Sequence, residues 1–113
     1  MSFRNDRQRA VVCRALLAQA GLAELWDERG PNVGAQRRLQ HKGIRLPRDS
    51  TTLLLTCWAI WDGTGLAAVS DLLSLGRSPL SAVGELLEAI SGEPGDVDAW
   101  LERWGAADRA LVA

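Results

Sequence analysis

The stretch Leu53-Leu54-Leu55-Thr56-Cys57-Trp58-Ala59-Ile60-Trp61 is apolar at eight of its nine positions. Asp49-Ser50 precedes it and Asp62-Gly63 follows it, so polar, helix-ending residues flank it on both sides. A helix that is apolar on nearly every side has to be covered by other elements on nearly every side. We therefore predict that a helix over about 49–62 lies at the centre of a small all-α domain.

The sequence on either side of this stretch predicts further short helices. Apolar residues recur there at helical spacing, and no segment alternates between apolar and polar residues as a half-buried strand does. Glycines stand at the predicted helix ends, where a left-handed residue stops a helix. We expect one domain over 1–113, a compact bundle of six or seven short helices around one buried central helix. The predicted helices span about 4–20, 22–29, 33–42, 50–62, 66–75, 79–91 and 96–104.

Particular residues are predicted to start, stop or anchor these helices. Asn5 or Asp6 can cap the first helix, because their side chains accept a hydrogen bond from a free backbone N–H. Gly21 can stop the same helix, and Thr64 can cap the one over 66–75. The side chains expected to face the core from the two helices after the central one are Leu66, Val69, Leu72, Leu73, Leu80, Val83, Leu87 and Ile90.

Length and composition are those of one ordinary globular domain, with 113 residues, 47% hydrophobic and 24% charged. The N-terminal residues lack the apolar region of a secretory signal, and no run approaches the ~20 apolar residues of a membrane span. Cys13 and Cys57 lie among apolar residues of predicted helices, so we expect two buried, reduced thiols. A soluble, cytoplasmic protein with no membrane partner is expected.

Side chains that support catalysis are sparse. His41 is the single histidine, and Cys13 and Cys57 are 44 residues apart, so a zinc site lacks ligands. A cysteine nucleophile activated by His41 is disfavoured, because an apolar setting disfavours the thiolate. The turn Gly63-Thr64-Gly65 lacks the lysine of a phosphate-binding loop. The sequence therefore predicts a protein that is not an enzyme, with no catalytic residue, no cofactor and no metal.

Charge is distributed unevenly along the chain. Residues up to Arg48 include ten Lys and Arg against four Asp and Glu, and residues from Asp49 onward include three against ten. Such asymmetry bears on binding partners rather than on fold. We predict a basic patch and an acidic patch that bind partners. The basic patch is Arg37, Arg38, Lys42, Arg45 and Arg48, and the acidic patch is Glu85, Glu88, Asp98 and Glu102.

Tryptophan is the other unusual feature, with five in 113 residues. Trp58 and Trp61 are three residues apart and Trp100 and Trp104 are four apart, so each pair shares a helix face. Both faces are predicted to pack inward, so core anchoring is the first interpretation. The alternative is a partly exposed hot spot in an interface, for which Trp104 is the best candidate.

Two functions fit these patches. The first is a non-enzymatic, helical protein-interaction module, an adaptor that binds a protein partner or itself through its basic N-terminal half and acidic C-terminal half. In length, helix number and opposed charge such a domain resembles the death-domain-type interaction modules, a similarity of shape and charge without a shared motif. The alternative is a small nucleic-acid-binding or regulatory protein that uses the basic 37–48 segment. If the basic and acidic residues instead pair with each other within the chain, these charges have a structural role and do not bind a partner.

Overall fold

The computed structural model describes residues 3–40 and 47–105, apart from the side chains at 39 and 40. This part of the chain contains six α-helices, one short 3₁₀ helix and a two-stranded hairpin. Together they form a globule with a Cα radius of gyration of 12.9 Å, so the predicted all-α architecture is confirmed. The helices are α1 (Asp6–Ala18), α2 (Val33–Gln40), α3 (Arg48–Asp62), α4 (Val69–Leu73), α5 (Arg77–Ser91) and α6 (Pro94–Trp104).

Helix α3 is the predicted central helix. It packs chiefly against α1. Gly63 ends it in the left-handed conformation, with φ of 80°, and its N–H donates to the carbonyl groups of Trp58 and Ala59. The apolar run is covered as expected, because its buried residues are Leu53, Leu54, Cys57, Trp58 and Ile60.

Two threonines of α3 are buried beside these apolar residues. The Thr52 hydroxyl donates to the carbonyl oxygen of Arg48 at 3.0 Å, and the Thr56 hydroxyl donates to that of Thr52 at 2.7 Å. Hydrogen bonds to the preceding helical turn satisfy a hydroxyl without water. These two threonines therefore do not need a solvent-facing position.

Helix α1 is the element against which most others assemble. The Asn5 side chain caps it by accepting the N–H of Gln8 at 2.9 Å, and Gly21 follows it with φ of 71°, as predicted. It is two residues shorter at each end than the predicted 4–20. It contacts α3, α5, α6 and both strands of the hairpin, and its buried side chains include Val12, Cys13, Leu16 and Leu17.

The prediction of a helix over 22–29 is wrong, because the chain forms a hairpin there. A 3₁₀ helix covers Ala23–Leu25, and strand β1 (Trp26–Asp27) then pairs antiparallel with strand β2 (Gly30–Pro31). Both strands lie against α1. The hairpin carries the Trp26 side chain into the core, where it is completely buried.

Two local features turn the chain at this hairpin. The Asp27 carboxylate accepts the backbone N–H of Arg29 at 2.7 Å, a bond typical of tight turns. Gly30 has φ of 122°, which residues with a Cβ rarely adopt. A Cβ on Gly30 would also lie 2.6 Å from the Trp61 ring. Turn geometry and a close tertiary contact therefore override the helical spacing of the sequence.

The helix predicted over 66–75 forms only in part, because α4 has five residues and begins after Ala68 rather than at Leu66, so Thr64 does not cap it. Upstream of it, Gly65 packs so tightly on α3 that a Cβ would clash with the carbonyl oxygen of Leu55. Gly65 is thus fixed on α3, and the chain from Thr64 to Ala68 is non-helical. The helix consequently starts late and stays short.

The apolar face expected for the 66–75 segment is largely exposed. Leu66, Val69 and Leu73 are 84%, 70% and 68% exposed, whereas Leu72 is partly buried against the core. The expectation that these side chains enter the core is therefore wrong for all but Leu72. A five-residue helix is too short to turn all of them inward.

Helices α5 and α6 pack against each other and close the bundle. On α5 the buried stripe differs from the prediction, since Leu86 is fully buried and Leu87 is 52% exposed. On α6, Val97 and Trp100 are buried, and the Trp100 indole N–H donates to the carbonyl oxygen of Ala82 at 2.9 Å. Both helices begin two residues before the predicted 79 and 96.

Three tryptophans form an aromatic cluster between the hairpin and α3. The Trp26 ring centroid lies 5.3 Å from that of Trp58 and 6.1 Å from that of Trp61, and both ring pairs are close to perpendicular. Edge-to-face contact is a favoured geometry for aromatic pairs. Trp26 and Trp58 are buried and Trp61 is partly buried, so core anchoring is confirmed for this cluster.

Replacement of Trp58 by alanine is expected to lower the free energy of unfolding by about 3–5 kcal/mol, because it removes a buried ring and its contact with Trp26. Urea denaturation followed by circular dichroism measures the change. Trp104→Ala is the matched control and should destabilise less, since Trp104 is only partly buried. An unchanged unfolding midpoint for Trp58→Ala would place the core elsewhere.

Replacement of Gly30 by alanine is expected to destabilise the protein by about 1–3 kcal/mol, because the Cβ is strained at φ of 122° and meets the Trp61 ring. Gly84→Ala on α5 is the opposite case, since a Cβ there has no neighbour within 4 Å. It should stabilise the helix by about 0.5–1 kcal/mol. Thermal melts of both variants measure these effects. Shifts of the two melting temperatures in the same direction would contradict the prediction.

Candidate functional site

An apolar groove lies between α3, α5 and the segment that contains α4. Its volume is about 480 Å³, and seven of its nine lining residues are apolar. A ligand in this groove would be held mainly by apolar contacts. The lining residues are Thr56, Ala59 and Ile60 of α3, Ala67 and Leu72 of the α4 segment, and Val83, Leu87, Ile90 and Ser91 of α5.

The groove exists because α4 is too short to fill the space between α3 and α5. The α4 segment and α5 also keep large apolar side chains on their surface, which a longer helix would bury. They are Leu66, Val69, Leu73 and Leu87, each more than half exposed. Exposed apolar patches of this kind mark places where proteins bind other molecules.

A second depression, the acidic cavity, lies between α5 and α6. Its volume is about 440 Å³. Three carboxylates line it against one guanidinium, so its charge favours cations. Two residues of the predicted acidic patch and the predicted hot spot Trp104 meet here. The lining residues are Glu85, Glu88, Ala89, Asp96, Ala99, Trp100, Arg103 and Trp104.

Glu85 holds the wall of the acidic cavity in place. One of its oxygens accepts the Trp104 indole N–H at 2.8 Å, and the other pairs with the Arg103 guanidinium at 2.8 Å. That guanidinium also lies 5.6 Å from the centre of the Trp104 ring. Glu88, in contrast, is exposed and has no ion pair among residues 3–40 and 47–105. Asp96 is also exposed, but one of its oxygens accepts the backbone N–H of Glu93 at 2.9 Å, so Glu88 is the carboxylate of this cavity that is most available to a ligand.

The other two residues of the acidic patch lie apart from the acidic cavity. The Asp98 carboxylate binds the Arg4 guanidinium at 2.6 Å and the Gln8 side-chain amide at 2.9 Å. These two hydrogen bonds, the one from Arg4 first, lower the pKa of Asp98. Asp98 thus ties α6 to the start of α1, which is an intrachain role. Glu102 is exposed on α6.

The basic patch is described only in part. Arg37 is exposed and Arg38 is partly buried on α2, which packs on the 3₁₀ helix and the hairpin. Arg48 pairs with Asp71 at 3.0 Å, so its charge is compensated within the chain. Lys42 and Arg45 lie outside the described residues, as do His41 and the end of the helix predicted over 33–42.

Sequence reasoning missed the groove, because it assigned the side chains around it to the core. On a helical wheel Leu66, Val69, Leu72 and Leu73 fall within about 120° of one another, which is the pattern of an ordinary amphipathic helix. The spacing of these residues alone therefore gives no sign that the apolar face stays exposed.

The arrangement around α5 can hold apolar groups on one flank and cations on the other. Within the described ranges, no cluster of three or more His, Cys, Asp or Glu side chains could hold a metal ion. None of the helices in those ranges is long and apolar enough to cross a membrane. The chemistry that these side chains support directly is the binding of a ligand that is both apolar and positively charged.

Asp98→Asn is expected to lower stability at pH 7 and to change it little at about pH 3. A carboxylate with a lowered folded-state pKa stabilises the protein above its unfolded value of about 3.9, and this contribution is lost as the pH falls through the folded value. Urea titrations at both pH values measure the difference. Glu102→Gln, an exposed carboxylate on the same helix, is the control. Equal destabilisation by Asp98→Asn at both pH values would contradict the role of its charge.

The chain was compared with protein-family models, with curated proteins and with solved structures, and none of the three comparisons finds a match. The features of the described surface that can bind a ligand are the apolar groove and the acidic cavity, which helix α5 separates.

Proposed function

We propose that this protein is a protein-interaction module that binds a cationic, amphipathic helix of a partner protein across α5. The observation that carries the proposal is the position of α5, which has the apolar groove on one flank and the acidic cavity on the other. The apolar side chains of the partner would fill the groove. Its lysines and arginines would reach the acidic cavity.

The apolar half of this interaction follows a common mode of recognition. An amphipathic helix places apolar side chains at positions i, i+3, i+4 and i+7, which form a stripe that fits a hydrophobic groove. Leu87 lines the groove and is itself 52% exposed, so it can contact such a stripe directly. Leu72 and Ile90 are more deeply placed and form the groove wall.

The charges carried by the three helices that form the groove favour a cationic partner. From Asp49 to Ser91 the sequence holds five carboxylates and a single basic residue, Arg77. Asp71 and Glu85 are compensated by Arg48 and Arg103. The remaining three have no ion pair within the described part of the chain. Complementary charge steers association and fixes the choice of partner.

The same charges bear on self-association. Two copies that met groove to groove would bring like charges together, which is unfavourable. The basic helix α2 of a second copy has the right charge, but the large exposed apolar side chain that it offers among its described residues is Val33, at 62%. A foreign helix with a full apolar stripe is therefore the better occupant. Phosphates of a nucleic acid would meet carboxylates on this face.

A synthetic helical peptide of leucines and lysines, with leucine at i, i+3, i+4 and i+7, is the probe for this site. Fluorescence anisotropy of the labelled peptide is expected to show saturable binding. Leu87→Asp should weaken it by about tenfold or more, which is at least about 1.4 kcal/mol. Glu88→Lys should also weaken it and should reduce its dependence on salt.

Matched controls distinguish binding at this site from non-specific electrostatic attraction. Val33→Asp changes an exposed apolar residue on α2, and Glu102→Lys reverses an exposed charge on α6, so both should leave binding unchanged. A peptide of the same composition without the apolar stripe should bind at least about tenfold less tightly. Equal binding of both peptides, or no effect of Leu87→Asp, would refute the proposal.

Gel filtration and a nucleic-acid titration test the two alternative partners, which are a second copy of this chain and a nucleic acid. A salt-sensitive oligomer that Val33→Asp abolishes would assign the groove to α2 of a second copy. Binding of random-sequence duplex DNA that Arg37→Glu abolishes would instead favour the nucleic-acid function. Either result, together with failure of the peptide to bind, would replace the present proposal.

A further inference from the structure

The two cysteines of the chain meet where α1 packs on α3. The Cys13 Sγ lies 3.6 Å from the carbonyl oxygen of Cys57, and the Cys57 Sγ lies 3.4 Å from the carbonyl oxygen of Cys13. Both side chains are 0% exposed, and both are free thiols.

This reciprocal contact is the arrangement that a disulfide requires. A disulfide forms between cysteines whose Cα atoms are about 4.4–6.8 Å apart and whose side chains face each other. Each sulfur here lies within 3.6 Å of the backbone carbonyl oxygen of the other residue, so the two cysteines meet at a close approach of the two helices. We propose that Cys13 and Cys57 are a disulfide-forming site that covalently joins α1 to α3 under oxidising conditions.

A small disulfide such as oxidised glutathione is a sufficient oxidant. One cysteine thiolate attacks a glutathione sulfur, the S–S bond of glutathione breaks, and one glutathione thiolate leaves and takes up a proton. The second cysteine thiolate then attacks the mixed disulfide at the first cysteine and releases the second glutathione. The two cysteines lose two electrons and two protons, and the oxidant is reduced to two thiols.

Burial determines when this reaction occurs. Burial, and after it the neighbouring Cys13 thiol, raise the pKa of Cys57, so little thiolate is present in the folded chain at neutral pH. The folded protein also shields both sulfurs from a solute the size of glutathione. The disulfide therefore forms during folding, before α1 closes on α3, and once formed it is shielded from reductants in the same way.

The disulfide would close a loop of 44 residues that includes the hairpin and α2. Such a crosslink restricts the unfolded chain and stabilises the folded one when its geometry suits the native contact. It would leave the apolar groove open, because the α3 residues of the groove are Thr56, Ala59 and Ile60 rather than Cys57. The proposed site and the proposed function can therefore be tested independently.

The test is to refold the denatured wild-type chain either with oxidised glutathione or with reduced glutathione alone. After refolding with oxidised glutathione, the intact mass should be lower by two hydrogen atoms, and neither cysteine should react with iodoacetamide in urea. The oxidised monomer should unfold about 10 °C or more above the reduced one. Oxidation of the already folded, reduced chain should be at least about tenfold slower.

The comparison of two redox states of one chain needs no variant, so it does not depend on a mutant that folds. Cys13→Ala and Cys57→Ala add a control, since neither should gain stability from oxidised glutathione. The proposal is overturned if the refolded wild type remains reduced, carries glutathione or forms a disulfide-linked dimer. It is also overturned if the intramolecular disulfide forms and lowers the unfolding temperature.

Discussion

The structure depends on covering α3, a helix with apolar side chains around nearly its whole circumference. Helix α1 covers one side, where the two cysteines meet, and the hairpin brings Trp26 against Trp58 on another. Internal hydrogen bonds make the threonines of α3 compatible with burial. Toward α5, however, the chain crosses at Gly65 and provides only the short α4. The apolar groove is the side of α3 on which the rest of the chain leaves apolar side chains uncovered.

Much of this fold follows from local sequence signals. The Asn5 cap, the Gly63 stop and the apolar stripes of α1, α3 and α6 agree with the packing, so these helices could be predicted closely. The 22–29 and 66–75 segments could not. In both, a glycine packs closely on α3, Gly30 at Trp61 and Gly65 at Leu55. Such contacts between one element and another do not show in the helical spacing of apolar residues.

The candidate site was predictable only as a set of charges. The sequence shows which residues carry charge, but the fold decides which of them become paired. Glu85 and Glu88 do come together near Trp104, whereas Asp98 is bound by Arg4 and Arg48 by Asp71. The groove was not foreseen, because its residues look like core residues until the length of α4 is known. The apolar character of a residue does not by itself show whether the residue lies in the core or on an exposed surface that binds a partner.

The ion pair between Arg4 and Asp98 joins residues that are 94 positions apart, and α1 also packs against α5 and α6. Helix α1 is synthesised before the other described elements of this domain, and α5 and α6, which complete its surroundings, are synthesised after them. A nascent chain that ends after α3 lacks the part of the cover of α1 that α5 and α6 supply. Contacts of long sequence separation form late and slow the folding of the whole unit. The domain therefore gains its native structure only when nearly all of it is free to fold, and its unfinished chain is the form most exposed to aggregation.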